Sequence, residues 1–478
     1  MNSKRTKIVA TISDKNCEPR FIKELYEAGM NVIRINSAHL ETEGALRIIR
    51  NAREVSDKIA ILLDTKGPEI RTTACEAPLA VKKGDTFRIT GNPEKISSGK
   101  EIFVSLRTIS SEVPPGSMIM IDDGDIEMKA LKKEGDSLIC KALNDGVVGS
   151  RKSVNVPGVK IHLPSLTHRD RAFIKMAAEN DLDFIAHSFV RSRQDVLDVQ
   201  EELDKYKSEI KIIAKIENEE GVENIIEILD EVYGIMVARG DLAIEIPYER
   251  IPSIQKMIIS RCIYCRKPVI VATQMLHSMI TNPRPTRAEV SDIASAIYSH
   301  ADAIMLSGET ASGKYPVEAV KTMTKVALEV ERNKEKYLDT PYLNVTGEVS
   351  SYLAKVAVET SLRINAKGII ADTSRGRTIR DMASIRGFNL IMAQCYSMKT
   401  MRELALSYGV YATYQEKRES VDEFIHIALS KLTRTHNLRD DDLIVVLAGN
   451  FSGSSGFSFI EIGTVQYLKD RVSIKEDL

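Results

Sequence analysis

The stretch AILLDTKGPEIRT, residues 60–72, marks the point where one predicted domain ends and another begins. Its first four residues are apolar, and Asp64, Lys66, Glu69 and Arg71 follow on the two sides of a Gly-Pro pair. An apolar run of this length is typical of a strand in a parallel sheet that is covered on both faces. The charges therefore fall where the strand reaches the surface, and the Gly-Pro pair indicates a change of chain direction.

Similar apolar runs recur along the first two thirds of the chain, with helix-like segments between them. They begin near residues 8, 32, 61, 184, 212, 235, 269 and 303. Six of the seven intervals have the length of a strand–helix unit, and only the interval from 61 to 184 is far longer. Eight alternating strands and helices predict an α/β fold in which parallel units close into a (β/α)8 TIM barrel.

The long interval has a different pattern. Turn signals such as KKGD, DDGD and KEGD separate short strand-like segments, among them TFRIT, SMIMI and SLICKAL. This spacing predicts a small all-β barrel domain, residues 68–157, inserted after the third strand. Prolines mark both of its ends. We therefore expect the catalytic barrel to comprise residues 1–67 and 158–343.

Residues 344–478 return to an α/β pattern. A helical segment at 351–362 precedes the apolar runs KGIIADT, NLIMAQC, GVYATYQ and DLIVVLAG. Four strands are too few for a second closed barrel of this kind. They predict a C-terminal α/β open-sheet domain.

The composition excludes several classes of protein. In 478 residues, 66 Lys and Arg balance 67 Asp and Glu, so no basic surface predicts binding to nucleic acid or to an anionic membrane. No apolar run is long enough to span a membrane, and the N-terminus lacks a signal-peptide pattern. Six scattered cysteines favour a reducing, cytoplasmic location. The Cys262–Cys265 pair has no second pair or histidine partner, so it is expected to pack in a helix.

The functional face of a (β/α)8 barrel lies at the C-terminal ends of its strands, and polar residues are concentrated there in this sequence. The residues at these ends are Arg34, Asn36, Asp64, Thr65, Lys66, Ser188, Lys215, Glu217, Gly240, Asp241 and Thr273. An inward charge in a packed barrel is costly unless it is paired or bound to a metal. Glu217 and Asp241 predict a divalent cation site of the kind that Mg²⁺ prefers, although a simple salt bridge between Lys215 and Glu217 is the alternative.

A divalent cation and several cationic side chains at one barrel mouth favour a substrate with several negative charges, such as a phosphorylated carboxylate. Phosphoryl transfer depends mainly on positioning and charge neutralisation, which this set of residues supplies. The chain has no GxxxxGK[ST] loop and no GxGxxG loop. A Ser–His–Asp hydrolase is poorly supported.

Six motifs make the chain resemble the pyruvate kinase family along nearly its whole length. They are NVIRIN (31–36), LLDTKGPEIRT (62–72), KIEN (215–218), VARGDLAIEIP (237–247), ATQMLHSMITNPRPTRAEVSDIASAI (272–297) and IMLSGETASGKYPVEAV (304–320). The resemblance implies a (β/α)8 barrel with an inserted β-barrel lid and a C-terminal regulatory domain. It also implies transfer of the phosphoryl group of phosphoenolpyruvate to ADP in glycolysis, giving pyruvate and ATP.

The same resemblance implies roles for individual residues. Glu217 and Asp241 match the Mg²⁺ or Mn²⁺ ligands, and Lys215 and Arg34 match the cations that hold the transferring phosphoryl group. The remaining implied roles are the substrate contacts Gly240, Asp241, Thr273 and Ser188, proton delivery from Thr273, the nucleotide contacts His39, Arg71, Lys152 and Asn36, and the K⁺ ligands Asn36, Asp64 and Thr65. Glu69 matches the acid that accompanies K⁺ dependence, because an uncompensated acid there would repel both substrates.

The sequence departs from the family pattern at a few positions. Ala38 stands where a serine hydroxyl is expected to bind K⁺, so the K⁺ site is expected to be weakened. Ser13-Asp14 replaces the usual Gly-Pro beside the nucleotide, and Ala243 replaces a usual glycine. None of these changes falls on the residues expected to transfer the phosphoryl group.

The C-terminal domain contains the run Thr373, Ser374, Arg375, Gly376, Arg377 and Thr378 between a strand and a helix. This run is the candidate site for a sugar phosphate or other anionic effector, and a capped helix start with solvated arginines is the alternative. The second effector loop of the family, here 449–456, lacks the expected Trp and Arg. The family also implies a homotetramer. The competing functions are an aldolase-type lyase acting on phosphoenolpyruvate or pyruvate, and a ligand-sensing relative without turnover.

Overall fold

The computed structural model describes residues 4–334, 348–418, 420–449 and 458–470. The elements before the insertion are β1 (Lys7–Thr11), α1 (Pro19–Ala28), β2 (Val32–Asn36), α2 (Thr42–Val55) and β3 (Ala60–Asp64). Those of the insertion are β4 (Leu79–Val81), β5 (Thr86–Gly91), β6 (Glu101–Val104), α3 (Ile109–Glu112), β7 (Met118–Ile121), β8 (Ile126–Glu134), β9 (Ser137–Ala142), β10 (Gly146–Val148) and β11 (Val154–Asn155).

The barrel resumes after the insertion. Its elements are α4 (His168–Glu179), β12 (Phe184–His187), α5 (Arg193–Asp204), β13 (Lys211–Ile216), α6 (Glu219–Glu223), α7 (Ile225–Glu231), β14 (Gly234–Ala238), α8 (Arg239–Glu245), α9 (Ile251–Tyr264), β15 (Val269–Ala272), α10 (Arg287–Tyr298), β16 (Ala303–Leu306), α11 (Gly308–Ala311) and α12 (Pro316–Asn333).

The C-terminal elements are α13 (Val349–Arg363), β17 (Gly368–Thr373), α14 (Arg377–Ser384), β18 (Leu390–Cys395), α15 (Met398–Glu403), β19 (Val410–Tyr414), α16 (Val421–His436), β20 (Leu443–Gly449), β21 (Ser458–Thr464) and α17 (Val465–Asp470).

The eight predicted barrel strands form one closed parallel barrel in the order β1-β16-β15-β14-β13-β12-β3-β2. Alternate residues such as Val9, Leu62 and Met236 fill the interior, and the residues between them pack against the surrounding helices. Both faces of each strand are therefore buried, which explains why the strands are mainly apolar before their C-terminal ends. The predicted (β/α)8 barrel is confirmed.

The inserted segment consists of β-strands, as predicted, apart from the short helix α3. Its strands form a six-stranded sheet, β11-β7-β8-β9-β5-β6, and a two-stranded ladder of β4 and β10. Isolated bridges join Arg71 to Ser153, beside β11, and Thr72 to Val104, at the end of β6. Residues that directly follow the Gly-Pro pair thus connect the two edges of the sheet, which encloses one apolar core. We call the segment 68–157 the lid.

The C-terminal sheet has the order β19-β18-β17-β20-β21. Its first four strands are parallel and match the predicted runs, whereas β21 pairs antiparallel with β20. The sequence pattern missed β21, because its residues, SFIEIGT, mix polar and apolar types at an edge of the sheet. Within the described ranges, no helix is both long and apolar enough to cross a membrane.

The C-terminal domain closes the bottom of the barrel. Leu406, in a 3-10 helix (Leu404–Leu406), is fully buried in the same cluster as the interior residues of the strands. Two buried ion pairs surround this contact: Arg386 binds both oxygens of Asp302 at 2.8 and 2.5 Å, and Arg402 Nε donates to Asp183 at 2.6 Å. Both carboxylates precede a barrel strand. The barrel and the C-terminal domain therefore share a continuous core.

We expect Leu406→Ala to lower the free energy of unfolding by about 2–5 kcal/mol, because it removes a side chain that fills the end of the barrel. Urea denaturation followed by circular dichroism measures the loss. Leu443→Ala is the matched control, since Leu443 is 37% exposed at the start of β20 and should change stability by about 0.5 kcal/mol or less. Equal losses in the two variants would contradict the role assigned to Leu406.

Candidate active site

Asp64 lies at the centre of the barrel mouth. It is the last residue of β3, it is buried, and its two carboxylate oxygens have different partners. Arg34 Nε donates to Oδ2 at 2.6 Å, and Lys215 Nζ lies 3.0 Å from Oδ1. Burial disfavours the charged carboxylate, but the two cations outweigh burial and hold the pKa of Asp64 below its usual range.

Lys215 extends from β13 into the same cluster. Its ammonium group donates to Ser188 Oγ at 2.7 Å and lies 2.9 Å from Glu217 Oε1. Burial alone would lower the pKa of Lys215, but Asp64 and Glu217 raise it above the usual value. Lys215 is thus a permanent, immobilised cation.

Arg34 lies on the other side of Asp64 and is also buried. Its Nη1 donates to Thr11 Oγ1 at 3.1 Å, and that hydroxyl donates to the Leu306 carbonyl at 2.9 Å. These contacts fix the guanidinium plane between β1 and β3. The structure therefore brings Arg34, Asp64 and Lys215, which are far apart in sequence, into one chain of ionic contacts.

Glu217 and Asp241 form the acidic side of the mouth. Glu217 follows β13 directly, and its Oε2 accepts the backbone N–H of Phe189 at 2.7 Å. Asp241 follows the C-terminal end of β14, where the sequence predicted it, and lies in the first turn of α8. Burial is the main cause of the raised pKa of both acids, and for Glu217 the negative charge of Asp241 adds to it.

These two acids have the chemistry that a divalent cation requires. A bound cation would favour their charged forms and offset their repulsion, which the protein alone does not do. Across the residues that the structure describes, no group of three or more His, Cys, Asp or Glu side chains has metal-binding geometry. Two carboxylates leave the remaining positions to water and substrate oxygens, as Mg²⁺ prefers.

The loop after β15 has a strained backbone. Thr273 and Gln274 have φ angles of 68° and 55°, which are rare for residues with a side chain and rarest for a β-branched one. Arg239 holds this loop, because its Nη2 donates to the Thr273 carbonyl at 2.6 Å and its Nη1 to Asp292 at 2.7 Å. The Thr273 hydroxyl accepts the N–H of Gly240 at 2.9 Å, so these two predicted substrate contacts meet each other here.

The lid carries two of the predicted nucleotide residues. Arg71 makes a two-pronged ion pair with Glu69, at 2.7 and 3.0 Å, and Lys152 Nζ lies 2.7 Å from Asp122. Arg71 therefore compensates the negative charge of Glu69, and the expectation of an uncompensated acid was wrong. The two side chains can meet because residues two apart in an extended segment face the same side. His39 is exposed in a 3-10 helix (Ser37–His39) after β2.

The predicted K⁺ ligands lie together next to Asp64. Asn36 pairs with Asp64 across β2 and β3, and its Oδ1 accepts the N–H of Ala38 at 3.1 Å. The Thr65 hydroxyl accepts the N–H of Ser188 at 3.1 Å and lies 3.3 Å from His187 Nδ1. Burial lowers the pKa of His187 to about 4, so this ring is neutral at pH 7.

The other departures from the family pattern have local explanations. Asp14 lies 3.9 Å from Arg47, so its charge is partly compensated. Ala243 is exposed in α8, where alanine favours the helix over glycine. Cys262 is buried in α9, and Cys265 follows its end; both are free.

The effector candidate forms a loop between β17 and α14. Thr373 Oγ1 accepts the N–H of Gly376 at 2.8 Å, and Gly376 has a φ of 75°, which glycine adopts without strain. Ser374, Arg375 and Arg377 are exposed, and Arg377 pairs with Glu348 at 2.6 Å. In the second effector loop, residues 450–456 lie outside the described residues.

Sequence reasoning missed several residues that support the site. Asp170 is fully buried and accepts the backbone N–H groups of Lys66 and Gly67 at 2.9 and 3.3 Å, which anchors the exit from β3. The pattern Thr167-x-x-Asp170 signals a capping box, and that box is present, but it does not reveal this second contact. Thr11 and Arg239 gave no signal of their supporting contacts.

Comparisons with known proteins agree over nearly the whole chain. The family model "Pyruvate kinase, barrel domain" matches residues 3–320, and "Pyruvate kinase, alpha/beta domain" matches residues 352–462. The pyruvate kinase of Borreliella burgdorferi is 47% identical over 471 residues, with 98% of each chain covered. That of Geobacillus stearothermophilus is 42% identical over 468 residues, covering 95% of this chain and 79% of the relative.

A crystal structure of a pyruvate kinase from Cryptosporidium parvum superposes with a TM-score of 0.92 and 35% sequence identity, covering 97% of this chain and 96% of the other. The closed barrel, the lid and the C-terminal sheet thus occur together in a solved relative. Fold, full-length similarity and both family models lead to one conclusion: the chain is a phosphotransferase that belongs to the pyruvate kinase family.

Proposed function

We propose that the barrel mouth performs the reaction of the family, the transfer of the phosphoryl group of phosphoenolpyruvate to ADP with formation of pyruvate and ATP in glycolysis. The observation that carries this proposal is the buried series of contacts from Arg34 through Asp64 to Lys215 and Glu217. A desolvated, fixed pair of cations is what a phosphoryl group in transit requires, because its charge is spread over three oxygens.

Lys215 and Arg34 hold the phosphoryl group in this proposal. They bind opposite oxygens of one carboxylate, so Asp64 sets the distance between them without neutralising both charges. Neither cation has to reorganise when the substrate arrives, and this preorganisation lowers the barrier. Lys215 also faces the position of the enolate oxygen that forms when the phosphoryl group leaves.

The family requires a divalent metal, and we propose Mg²⁺ or Mn²⁺ at Glu217 and Asp241. A bound metal ion neutralises charge on the phosphoryl and enolate oxygens. The protein contributes the two acids at fixed positions, with Glu217 oriented by the Phe189 N–H. Lys215 lies beside this proposed metal site, 2.9 Å from Glu217 Oε1.

The substrate carboxylate is proposed to bind the N–H groups of Gly240 and Asp241 and the hydroxyl of Thr273, with Ser188 beside Lys215. These N–H groups start helix α8, where the helix dipole favours a negative charge. The carboxylate would take over the N–H that Gly240 now donates to Thr273. The Thr273 hydroxyl, which now donates to the Ala272 carbonyl at 2.7 Å, is proposed to deliver the proton to the enolate carbon, directly or through water. The resulting ketone makes the transfer to ADP downhill.

ADP is proposed to bind between the barrel and the lid, at His39, Asn36, Arg71 and Lys152. The ion pairs of the lid hold Arg71 and Lys152 in extended positions until nucleotide phosphates compete for them. K⁺ is proposed at Asn36, Asp64 and Thr65, with weakened affinity because Ala38 provides no hydroxyl.

Further properties follow from the family. We propose a homotetramer, supported by tyrosines on the surface of α9 and α10, Tyr264 and Tyr298, that are 48% and 51% exposed. The loop 373–378 is the proposed site for a sugar phosphate or other anionic effector. We also propose the domain boundaries given above (1–67 with 158–343, 68–157 and 344–478) and a cytoplasmic location. Family membership disfavours the aldolase-type lyase, and the intact cation pair disfavours a relative that lacks turnover.

The protein should form pyruvate from phosphoenolpyruvate only when ADP, a divalent metal and K⁺ are present. We expect Lys215→Met to reduce kcat by about 10³-fold, because it removes a preorganised cation that stabilises the transition state. An assay coupled to lactate dehydrogenase measures pyruvate. Lys175→Met, at an exposed position of α4, is the control and should retain full activity. Turnover by Lys215→Met at the control rate would refute the mechanism.

The unaltered protein should require a higher K⁺ concentration for activation than a variant in which residue 38 carries a hydroxyl. Ala38→Ser is expected to lower the half-saturating K⁺ concentration by about tenfold, since one good oxygen ligand contributes about 1.4 kcal/mol. Ala38→Gly, which adds no oxygen, should leave it unchanged. Initial rates over a K⁺ series provide the values. If Ser and Gly behave alike, K⁺ does not bind next to residue 38.

Divalent metal binding should weaken as the pH falls from 8 to 6. The raised pKa of Glu217 means that protons compete with the metal in this range, whereas an ordinary carboxyl would remain charged. We expect the Mn²⁺ dissociation constant to rise by about tenfold, measured by electron paramagnetic resonance of free Mn²⁺. A constant affinity between these pH values would show that Glu217 is not a ligand.

A further inference from the structure

A cavity separate from the barrel mouth lies at the joint between the lid and the barrel. It has a volume of about 170 Å³ and is open on one side. Its walls include Glu69 and Phe189, but Lys215, Glu217 and Asp241 are not among them. The cavity is therefore adjacent to the proposed catalytic residues and separate from them.

The lid side of this cavity is apolar. Ile70, Val154 and Val156 belong to the core of the lid, and Ile161 and Leu163 pack against that core at the return to the barrel. Such a wall offers no hydrogen-bond partners to water. An apolar group of a ligand would be stabilised there by about 25 cal/mol for each Å² of apolar surface that it buries.

The barrel side of the cavity is acidic. Four glutamates line it, Glu219, Glu220, Glu223 and Glu245, and Glu69 at the start of the lid adds a fifth to the cavity. Only two basic residues, Lys160 and Arg191, face them. The cavity thus combines one apolar wall with one wall of negative charge.

Most of these charges already have partners. Lys160 lies 3.5 Å from Glu220 and 3.9 Å from Glu223, and Arg191 pairs with Asp195 at 2.8 Å. Glu219 lies 3.2 Å from Arg250, and Glu69 is bound by Arg71 as described above.

Glu245 is the exception. It ends helix α8 and is half-buried, and its Oε1 accepts a hydrogen bond from Asn155 Nδ2 at 3.1 Å. It forms no ion pair with any residue that the structure describes. Burial raises the pKa of Glu245, which is the expected behaviour of an acid that lacks a cation.

We propose that this cavity binds a small organic amine, with its ammonium group on Glu245 and its apolar body against the lid wall. The opposed walls favour a molecule with one cationic and one apolar end. Phosphates and carboxylates are disfavoured, because they would face the glutamates. The proposal is independent of the reaction assigned to the barrel mouth.

Such a ligand would connect two parts of the chain that must move relative to each other if the lid closes. The apolar wall belongs to the lid, and Glu245 and the residues 218–223 belong to the barrel. Asn155, directly after the apolar Val154, already makes one such link through Glu245. An amine in the cavity would extend this link from one hydrogen bond to a buried contact.

The absence of tryptophan from the sequence provides a direct test. Ile161→Trp places a single tryptophan in the apolar wall, where its emission can be excited apart from that of the 15 tyrosines. The ligand used as the probe is 3-phenylpropylamine. We expect a saturable change in emission with the amine and none with 3-phenylpropionate, which has the same ring and the opposite charge. Isothermal titration calorimetry with the natural Ile161 repeats the measurement without the substitution.

Glu245→Gln should weaken binding of 3-phenylpropylamine by about tenfold or more, because the ion pair is lost while the shape is kept. Glu249→Gln, an exposed position outside the cavity, is the matched control and should leave binding unchanged. The proposal is overturned if the amine and the acid bind equally, if Glu245→Gln binds as well as the unaltered protein, or if no saturable binding occurs. Because every readout is binding, failure here leaves the pyruvate assay unaffected.

Discussion

The shared carboxylate of Asp64 is the contact on which the barrel mouth depends. It holds Arg34 at 2.6 Å and Lys215 at 3.0 Å, and without it two buried cations would repel each other. Burying one acid between two bases leaves the trio with a net positive charge that is desolvated and fixed. The same arrangement that would be a cost to folding is therefore what prepares the site for its substrate.

The two ends of the barrel are joined to the other two domains in different ways. At the bottom, Leu406 and the ion pairs of Arg386 and Arg402 join the C-terminal domain to the strands through a continuous core. At the top, the lid is attached through short segments, with Asp170 holding the exit at Lys66 and Gly67. The amphipathic cavity lies at this joint. A shared core at the bottom and a separate lid domain at the top suit an enzyme that must admit two substrates and then exclude water.

Much of the fold could be predicted, because a strand that is buried on both faces is recognisable in the sequence as a continuous apolar run. All eight barrel strands and four of the five C-terminal strands were recognised in this way, whereas β21 lacked a continuous apolar run. At the site, the residue types at the strand ends indicated a substrate with several negative charges. The pairing of Glu69 with Arg71 and the helical position of Asp241 were not anticipated, since each depends on local backbone direction. The roles of individual site residues remain predictions.

The sequence by itself determined the barrel, the position of the insertion and the identity of the charged residues at the strand ends. These features depend on periodicity, chain breaks and residue type, which are local properties. Only the tertiary structure decided which charges share a partner. In the stretch from Ala60 to Thr72, Asp64 turns inward to Arg34 and Lys215, while Arg71 pairs with Glu69. Backbone bridges of Arg71 and Thr72 connect the two edges of the lid sheet. Pairing between residues 30 or 150 positions apart depends on barrel closure, and no local pattern contains it.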